Sequence, residues 1–219
     1  MTKEVLQFLE ALAQNNNREW FEKNRNRYES ARNEAIDLAE KIIGNLALTN
    51  PGYGSLDPRK CIFRIYRDVR FSQDKSPYKT HLGMFFNAGG KTAVRSGYYV
   101  HIEPGKSFIG GGVYGPPAPE LKALRQEIYF HSAEFRAIID NTQFRAVFGD
   151  LMEEKLSRPP KGFPADFNEI ELLKYKHYVV GHDLNDVQVS DPGLVDRIMH
   201  TFNTMRAFNE FLNRALEPA

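Results

Sequence analysis

The spacing of the apolar residues changes twice along the chain, and this change restricts the fold more than any other feature. Before residue 50 the apolar residues recur at steps of three and four, which predicts amphipathic helices. Between about residues 60 and 114 they alternate with other residues, which indicates β-strands with one apolar face. After Pro116 and Pro117 the helical spacing returns. Helices, then strands, then helices favour an α+β fold.

Five segments carry the signals of β-strands. Successive segments are joined by short connections, which favours a mostly antiparallel sheet. Pro104 and Gly105 lie between the third and fourth segments and indicate a hairpin. We therefore predict a sheet of about five strands packed with N-terminal and C-terminal helices. The predicted strands are residues 60–67, 80–87, 97–103, 107–114 and 176–183.

The helical regions begin and end at recognisable signals. Asn16 precedes Glu19 by three residues, a spacing similar to a capping box, and the helix that it starts is predicted to continue to Asn50. A closing helix is predicted after Pro192. We find no internal repeat, low-complexity tract or flexible linker, so we predict one domain over residues 1–219.

Composition and charge exclude several classes of protein. Hydrophobic residues make up 42% and charged residues 26%, which excludes a disordered chain. The 29 Lys and Arg nearly balance the 28 Asp and Glu, so bulk attraction to nucleic acid is excluded. The single cysteine, Cys61, excludes an intramolecular disulfide and fits a reducing compartment.

The sequence also argues against export and against a membrane. Glu4 and Glu10 interrupt the place where a signal peptide needs an apolar core. No apolar run is long enough to span a bilayer. We therefore expect a cytoplasmic protein with no membrane partner, and the sequence leaves its oligomeric state open.

Basic residues are concentrated between residues 59 and 81. This stretch contains seven Lys or Arg and two Asp. Guanidinium groups offer a fixed fork of donors that matches a phosphate or a carboxylate, and lysines add mobile positive charge. We therefore predict a binding site for a small anionic ligand. The predicted ligand-binding residues are Arg64, Arg67, Arg70, Lys75, Lys79, Tyr99 and Lys161.

The same basic residues admit two other interpretations. In the first, Asp68 and Asp74 pair with them and hold a loop to the body of the protein. Arg64 is flanked by Phe63 and Ile65, so we expect it to be partly buried and to need a partner. In the second, the basic residues and exposed aromatics form a non-catalytic binding module for nucleic acid or for an acidic protein surface.

A second polar set is predicted on the hairpin. If the strands pair symmetrically across the turn, Tyr99, His101 and Glu103 share one face, and His101 lies opposite Phe108. The sequence leaves open whether the site is catalytic. If it is, His81 or His101 is the candidate proton carrier, because histidine titrates near neutral pH.

Two further kinds of ligand site are weaker predictions. A metal site using His81, His101, Glu103 or Asp68 is chemically acceptable, but nothing in the sequence fixes the distances among these residues. We therefore predict no metal and no cofactor. The glycines at 110–112 indicate a close approach either by a ligand or by another part of the protein.

Four segments together resemble a known family. They are NNNREWF at 15–21, RIYRDVRFSQDKSPYKTH at 64–81, GYYVHIEPG at 97–105 and RPPKGF at 158–163. These segments resemble the family catalogued as domain of unknown function 2461, and the resemblance extends from near the start to Leu216. It implies a soluble single-domain protein. It implies no catalytic role, because the family carries no established activity.

Overall fold

The computed structural model describes residues 1–90 and 93–217. These residues fall into two compact units, each built from segments that are not contiguous in the sequence. Unit 1 contains residues 1–90, Tyr99–Ile109 and Asp183–Met199. Unit 2 contains residues 93–98, Gly110–His182 and 200–217.

Helices form where the apolar residues recur at helical spacing. No helix among the described residues combines the length and the apolar character that a membrane span requires. The helices are α1 (Lys3–Gln14), α2 (Arg18–Lys23), α3 (Arg25–Thr49), a 3-10 helix (Pro51–Ser55), α4 (Pro58–Cys61), α5 (Ala118–Phe130), α6 (Ser132–Ile139), α7 (Thr142–Phe148), α8 (Ile170–Leu173), α9 (Asp186–Val189) and α10 (Leu194–Arg214).

The predicted long helix between Asn16 and Asn50 is interrupted. α2 ends and α3 begins at Asn24, whose backbone leaves the helical conformation and whose side chain donates a hydrogen bond to the Trp20 carbonyl at 2.9 Å. Asparagine side chains compete with the helix for backbone partners, which explains the break. The N-cap of α2 is Asn17 rather than Asn16, because the Asn17 side chain accepts a hydrogen bond from Trp20 N–H.

The α+β prediction is confirmed, with a sheet of four strands among the described residues instead of about five. The sheet is antiparallel, and its strands follow one another in chain order. β1, β2 and β3 bury most of their residues, whereas β4 buries only alternate ones, Tyr178, Val180 and Leu184. The strands are β1 (Leu82–Phe86), β2 (Gly97–Ile102), β3 (Ser107–Val113) and β4 (Tyr178–Leu184).

The predicted first strand, residues 60–67, is wrong. Asp57 accepts a hydrogen bond from Arg59 N–H and Pro58 occupies the first helical position, so the chain makes the turn of α4 instead. This local capping signal outweighs the alternating pattern that follows it. The rest of the segment pairs only at two isolated bridges, Ile62 with Met84 and Tyr66 with Tyr78.

The glycines of β3 are explained by packing within unit 2. A Cβ atom on Gly111 would collide with Met205 Sδ, and one on Gly112 would collide with the Tyr178 carbonyl oxygen. Gly112 also has a φ of +111°, which side chains rarely adopt. The groups that lie close to Gly111 and Gly112 therefore belong to the protein itself.

Candidate functional site

The β2–β3 hairpin carries a polar face in unit 1, which we call the hairpin face: Tyr99, His101 and Glu103. Tyr99 Oη lies 3.0 Å from His101 Nδ1, and His101 Nε2 lies 3.1 Å from a Glu103 carboxylate oxygen. The Phe108 ring of β3 stacks on the His101 ring with centroids 4.8 Å apart. The shared face and the position of His101 opposite Phe108 are thus confirmed.

The Glu103 carboxylate is held by neighbours on both sides. Thr80 Oγ1 donates to Glu103 Oε1 at 2.8 Å, while the other oxygen faces His101. The Ser107 hydroxyl bonds both backbone groups of Glu103, which fixes the turn. Burial raises the Glu103 pKa, but the hydrogen bonds from His101 and Thr80 outweigh it and hold the pKa below its usual value. Glu103 is therefore ionised at neutral pH.

His81 joins the hairpin face from the residue before β1. Its ring centroid lies 4.2 Å from that of His101. Burial, and then the nearby His101 and Lys79, lower the His81 pKa to about 4, and Glu103 opposes this decrease only in part. His81 is consequently neutral at pH 7, with a free nitrogen lone pair.

His81, His101 and Glu103 form what we call the His–Glu cluster. One potential ligand atom from each residue lies within 4.8 Å of the other two. Asp68, the fourth residue that the sequence offered as a metal ligand, accepts hydrogen bonds from the Arg70 guanidinium instead. Three of the four candidate metal-ligating residues therefore lie close together.

Most positive charges in residues 64–79, which we call the basic segment, are engaged within the segment. Arg67 pairs with the Asp74 carboxylate and also donates to the Ser76 carbonyl at 3.3 Å. Arg70 binds Asp68 through two nitrogens, at 3.0 and 2.7 Å. Hydrogen bonds from Ser76, and then from Arg67, lower the Asp74 pKa to about 2. The Arg70 guanidinium likewise lowers the Asp68 pKa.

Two cations of the basic segment are not engaged in this way. The Arg64 guanidinium and the Lys79 ammonium group make no hydrogen bond or ion pair with a described residue, although the Lys79 backbone N–H donates to the Ile65 carbonyl at 2.7 Å. Lys79 is partly buried, and its Nζ lies 5.3 Å from the Phe63 ring centroid. Burial lowers the Lys79 pKa, and the charge of nearby Arg64 lowers it further. The two positive charges thus influence each other, and neither has an ion-pair partner among the described residues, although Arg64 also helps to lower the Asp68 pKa.

The expectation that Arg64 is partly buried is wrong, because its side chain is exposed. Beyond Ile62 the segment pairs only at Tyr66, and Tyr66 is itself 46% exposed. Among the described residues, Arg64 thus lies between the two isolated bridges rather than within a regular strand pair. The desolvation that would have required a partner for its charge does not arise.

The remaining predicted ligand-binding residues have different surroundings. Lys75 donates to the Val69 carbonyl at 3.0 Å. Burial raises the Tyr99 pKa to about 12, with a further contribution from Glu103, so its hydroxyl keeps its proton at neutral pH. Lys161 is exposed and belongs to unit 2, so its position is described separately from this site.

The basic segment is attached to the helices of unit 1 at Tyr78. The Asn16 side chain donates to the Tyr78 carbonyl at 2.9 Å and accepts from Tyr78 N–H at 3.1 Å. The Tyr78 ring stacks on Phe21 with centroids 4.0 Å apart. Sequence reasoning missed this anchor and the role of Thr80, because both depend on residues distant in the chain. Asn16 gave no local signal of this role, because its spacing to Glu19 predicted a helix cap instead.

Comparison with known proteins identifies the family. A sequence model described as a conserved hypothetical protein, DUF2461, matches residues 4–211. No curated protein and no solved structure matches the chain. The matched region includes all four of the segments that resemble the family, together with the hairpin face and the basic segment. The chain belongs to the DUF2461 family of conserved hypothetical proteins.

Proposed function

We propose that unit 1 binds a small anionic ligand, bearing a phosphate or a carboxylate, through Arg64 and Lys79 beside the hairpin face. One observation supports this proposal above the others. Arg64 and Lys79 lack a carboxylate partner among the described residues, whereas Arg67 and Arg70 each have one. The proposed ligand site therefore contains fewer basic residues than the site that the sequence predicts.

The local charges favour an anion. Arg64 and Lys79 contribute two positive charges, and Glu103 contributes one negative charge, while Asp68 is already compensated by Arg70. Two like charges at short range repel each other, and a bound anion between them removes that repulsion. Lys79 is partly buried, so solvent and salt screen its charge less than that of an exposed lysine.

The hairpin face adds groups that suit proton transfer to or from a bound ligand. His101 lies between the Tyr99 hydroxyl and the Glu103 carboxylate, which orient its ring. A histidine oriented by a carboxylate is a common general acid or base. His101 is accordingly the proton carrier that we assign to this site if binding is followed by a reaction.

The test is a ligand panel with charge-matched variants. Phosphate, sulfate and acetate are titrated into the full chain at low ionic strength, with thermal stability and calorimetry as readouts. We expect Arg64→Gln and Lys79→Gln each to weaken binding by roughly fivefold, the factor that one charge at about 4 Å contributes in water. Arg59→Gln and Lys60→Gln are the controls, since both residues are exposed and lie just before the segment.

Two results would reject the anion site. One is the absence of any stabilisation or heat of binding with all three anions. The other is an equal loss of affinity in the site variants and the controls, which would mean that only net charge matters. Binding of one anion and not the others would identify the ligand class.

A second candidate function is supported by the exposed aromatic ring of the basic segment. Phe71 is 95% exposed, and the Arg70 guanidinium lies 5.8 Å from its ring centroid. An exposed ring beside arginines suits stacking against a base of single-stranded nucleic acid. Polarisation titrations with single-stranded DNA and RNA should then show steeply salt-dependent binding that Phe71→Ala weakens. No binding at low salt excludes this candidate.

A further inference from the structure

We propose that His81, His101 and Glu103 bind a divalent transition-metal ion of the Zn²⁺ class. Two imidazoles and one carboxylate are a ligand set that such ions accept, with further positions left for water or a ligand. This inference goes beyond the proposed anion site. It depends on a different observation, the convergence of three ligand atoms within 4.8 Å of one another.

The separations in the cluster are close to those that a bound ion imposes. With metal–ligand bonds of about 2.1 Å, two ligand atoms in a tetrahedral site lie about 3.4 Å apart. His101 Nε2 and Glu103 Oε2 are already 3.1 Å apart. No separation in the cluster exceeds 4.8 Å, so tetrahedral spacing requires a movement of at most about 1.4 Å, which is within the reach of side-chain rotation.

Neighbouring groups hold the two hairpin ligands in the required orientation. In the metal-free chain His101 Nε2–H donates to Glu103; binding of an ion requires the other tautomer, in which Nδ1–H donates to Tyr99 Oη and the lone pair of Nε2 is directed towards the cluster. Thr80 occupies one oxygen of Glu103 and leaves the other for the ion. The stacked Phe108 ring fixes the plane of the imidazole. Such outer-shell contacts are typical of metal sites in proteins.

The site was not predictable from the spacing of its ligands. Alternate positions on β2 place His101 and Glu103 on one face, but His81 reaches them only because β1 lies beside β2. The expectation of no metal is therefore replaced by this proposal. Three protein ligands leave a coordination position on the ion at which an oxygen of an anionic ligand could bind. This binding of an anion to the metal is the one part of the inference that rests on the proposed function.

The experiment uses the full chain after treatment with a chelator, in a buffer without phosphate. Zn²⁺ is titrated by calorimetry, and Co²⁺ is followed by its visible absorption, which reports the coordination geometry. We expect one ion per chain. His81→Ala and Glu103→Gln should each weaken binding by at least roughly 100-fold, the upper end of what loss of an outer-shell partner costs. His200→Ala, a change of an exposed histidine, should bind like the unmodified chain.

The role of Tyr99 has a separate readout. Tyr99→Phe removes the group that orients His101 but removes no ligand. We expect roughly tenfold weaker binding together with an altered Co²⁺ absorption spectrum. An unchanged spectrum with unchanged affinity would show that Tyr99 does not position the ligand.

The outcomes separate the metal proposal from the anion proposal. Glu103→Gln keeps an oxygen that can accept from Thr80, so it is the variant chosen to remain folded, and circular dichroism checks this. Failure of the unmodified chain to bind Zn²⁺ or Co²⁺, or equal binding by folded Glu103→Gln, overturns the metal site. Phosphate binding by the metal-free chain that is weakened in Lys79→Gln but not in Lys60→Gln would still support the anion site. Metal binding without any anion binding would support the metal site alone.

Discussion

Unit 1 contains two polar regions, the basic segment and the hairpin face. They differ in how clearly the sequence indicates them and in how their side chains are bonded to one another in the structure. The basic segment is conspicuous in the sequence, yet Arg67 and Arg70 are paired with aspartates of the same segment. The hairpin face contains only three polar side chains, but hydrogen bonds join them in series. A high local charge thus did not indicate how many of the charges are unpaired, whereas the alternation of three polar residues did indicate that they share a face.

The two regions also differ in the interactions that keep their polar groups in place. Pairs in the basic segment are exposed and local, so water competes for every partner. The hairpin face is mostly buried, so each hydrogen bond there compensates a desolvated group and loss of one leaves a partner unsatisfied. Mutations should therefore affect the two regions by different mechanisms and to different extents.

The largest effect is expected where the basic segment is anchored to the helices. Tyr78 is 3% exposed and stacks on Phe21, so Tyr78→Ala should lower the free energy of unfolding by about 3 kcal/mol, the usual cost of removing a buried aromatic ring. Chemical denaturation measures this change. Tyr66→Ala, at a half-exposed tyrosine of the same segment, is the control and should cost much less. Equal losses would show that the segment is not anchored at Tyr78.

Much of this fold could be predicted because the spacing of the apolar residues was the strongest sequence signal in most segments. The alternation of apolar residues located all four strands of the described sheet, since each strand has a buried side. The prediction failed at residues 60–67, because it followed the alternating apolar residues and did not use the helix-capping signal of Asp57 and Pro58, which determines the local structure. It failed again at Asn24, where one polar side chain was sufficient to interrupt the helix.

The candidate site was predictable only in part. The i, i+2 spacing of Tyr99, His101 and Glu103 determines that they share a face, whatever the rest of the chain does. The position of His81 depends on the pairing of β1 with β2, and its spacing in the sequence carries no information about that pairing. The pairing of Arg67 with Asp74 depends on the turn that Ser76 forms, which composition does not reveal.

The hairpin face should behave as one connected network. Tyr99→Phe and Thr80→Val remove hydroxyl groups at opposite ends of this series of hydrogen bonds. The Tyr99 hydroxyl bonds His101 and the Thr80 hydroxyl bonds Glu103, so the two groups are not bonded to each other. Each should lower the free energy of unfolding of the metal-free chain by about 1 kcal/mol, the net value of a typical hydrogen bond. In a double-mutant cycle we expect a coupling of at least about 0.5 kcal/mol, transmitted through His101 and Glu103.

The control for this cycle pairs Tyr99→Phe with Thr49→Val. Thr49 also donates through its hydroxyl, to the Leu46 carbonyl at the end of α3, and it has no bond to the hairpin face. That cycle should be additive within about 0.3 kcal/mol. Additivity in both cycles would show that the hydrogen bonds of the hairpin face act independently.

A smaller effect is expected from releasing a cation in the basic segment. Asp74→Asn removes the carboxylate that pairs with Arg67, so Arg67 becomes available to an anion. We expect phosphate affinity to rise by roughly fivefold at low ionic strength, the contribution of one added charge in water. Asp37→Asn, at an exposed aspartate of α3, changes the net charge equally and is the control. An equal rise in both variants would mean that net charge alone determines the affinity.

The smallest effect concerns which partner holds Asp74. Its pKa of about 2 results first from the Ser76 hydroxyl, then from the Ser76 amide and then from Arg67; Ser76→Ala removes the largest of these contributions and keeps the amide, so it should move the pKa further towards its ordinary value of 3.8 than Arg67→Gln does. Because the folded pKa lies below the unfolded one, the ionised carboxylate favours the ordered segment above about pH 4, and this contribution disappears as the pH falls through about 2. Carbon NMR titration of the carboxyl group measures both variants. The reverse order would mean that the ion pair organises the turn, and Arg67 would then be a structural residue unable to serve a ligand.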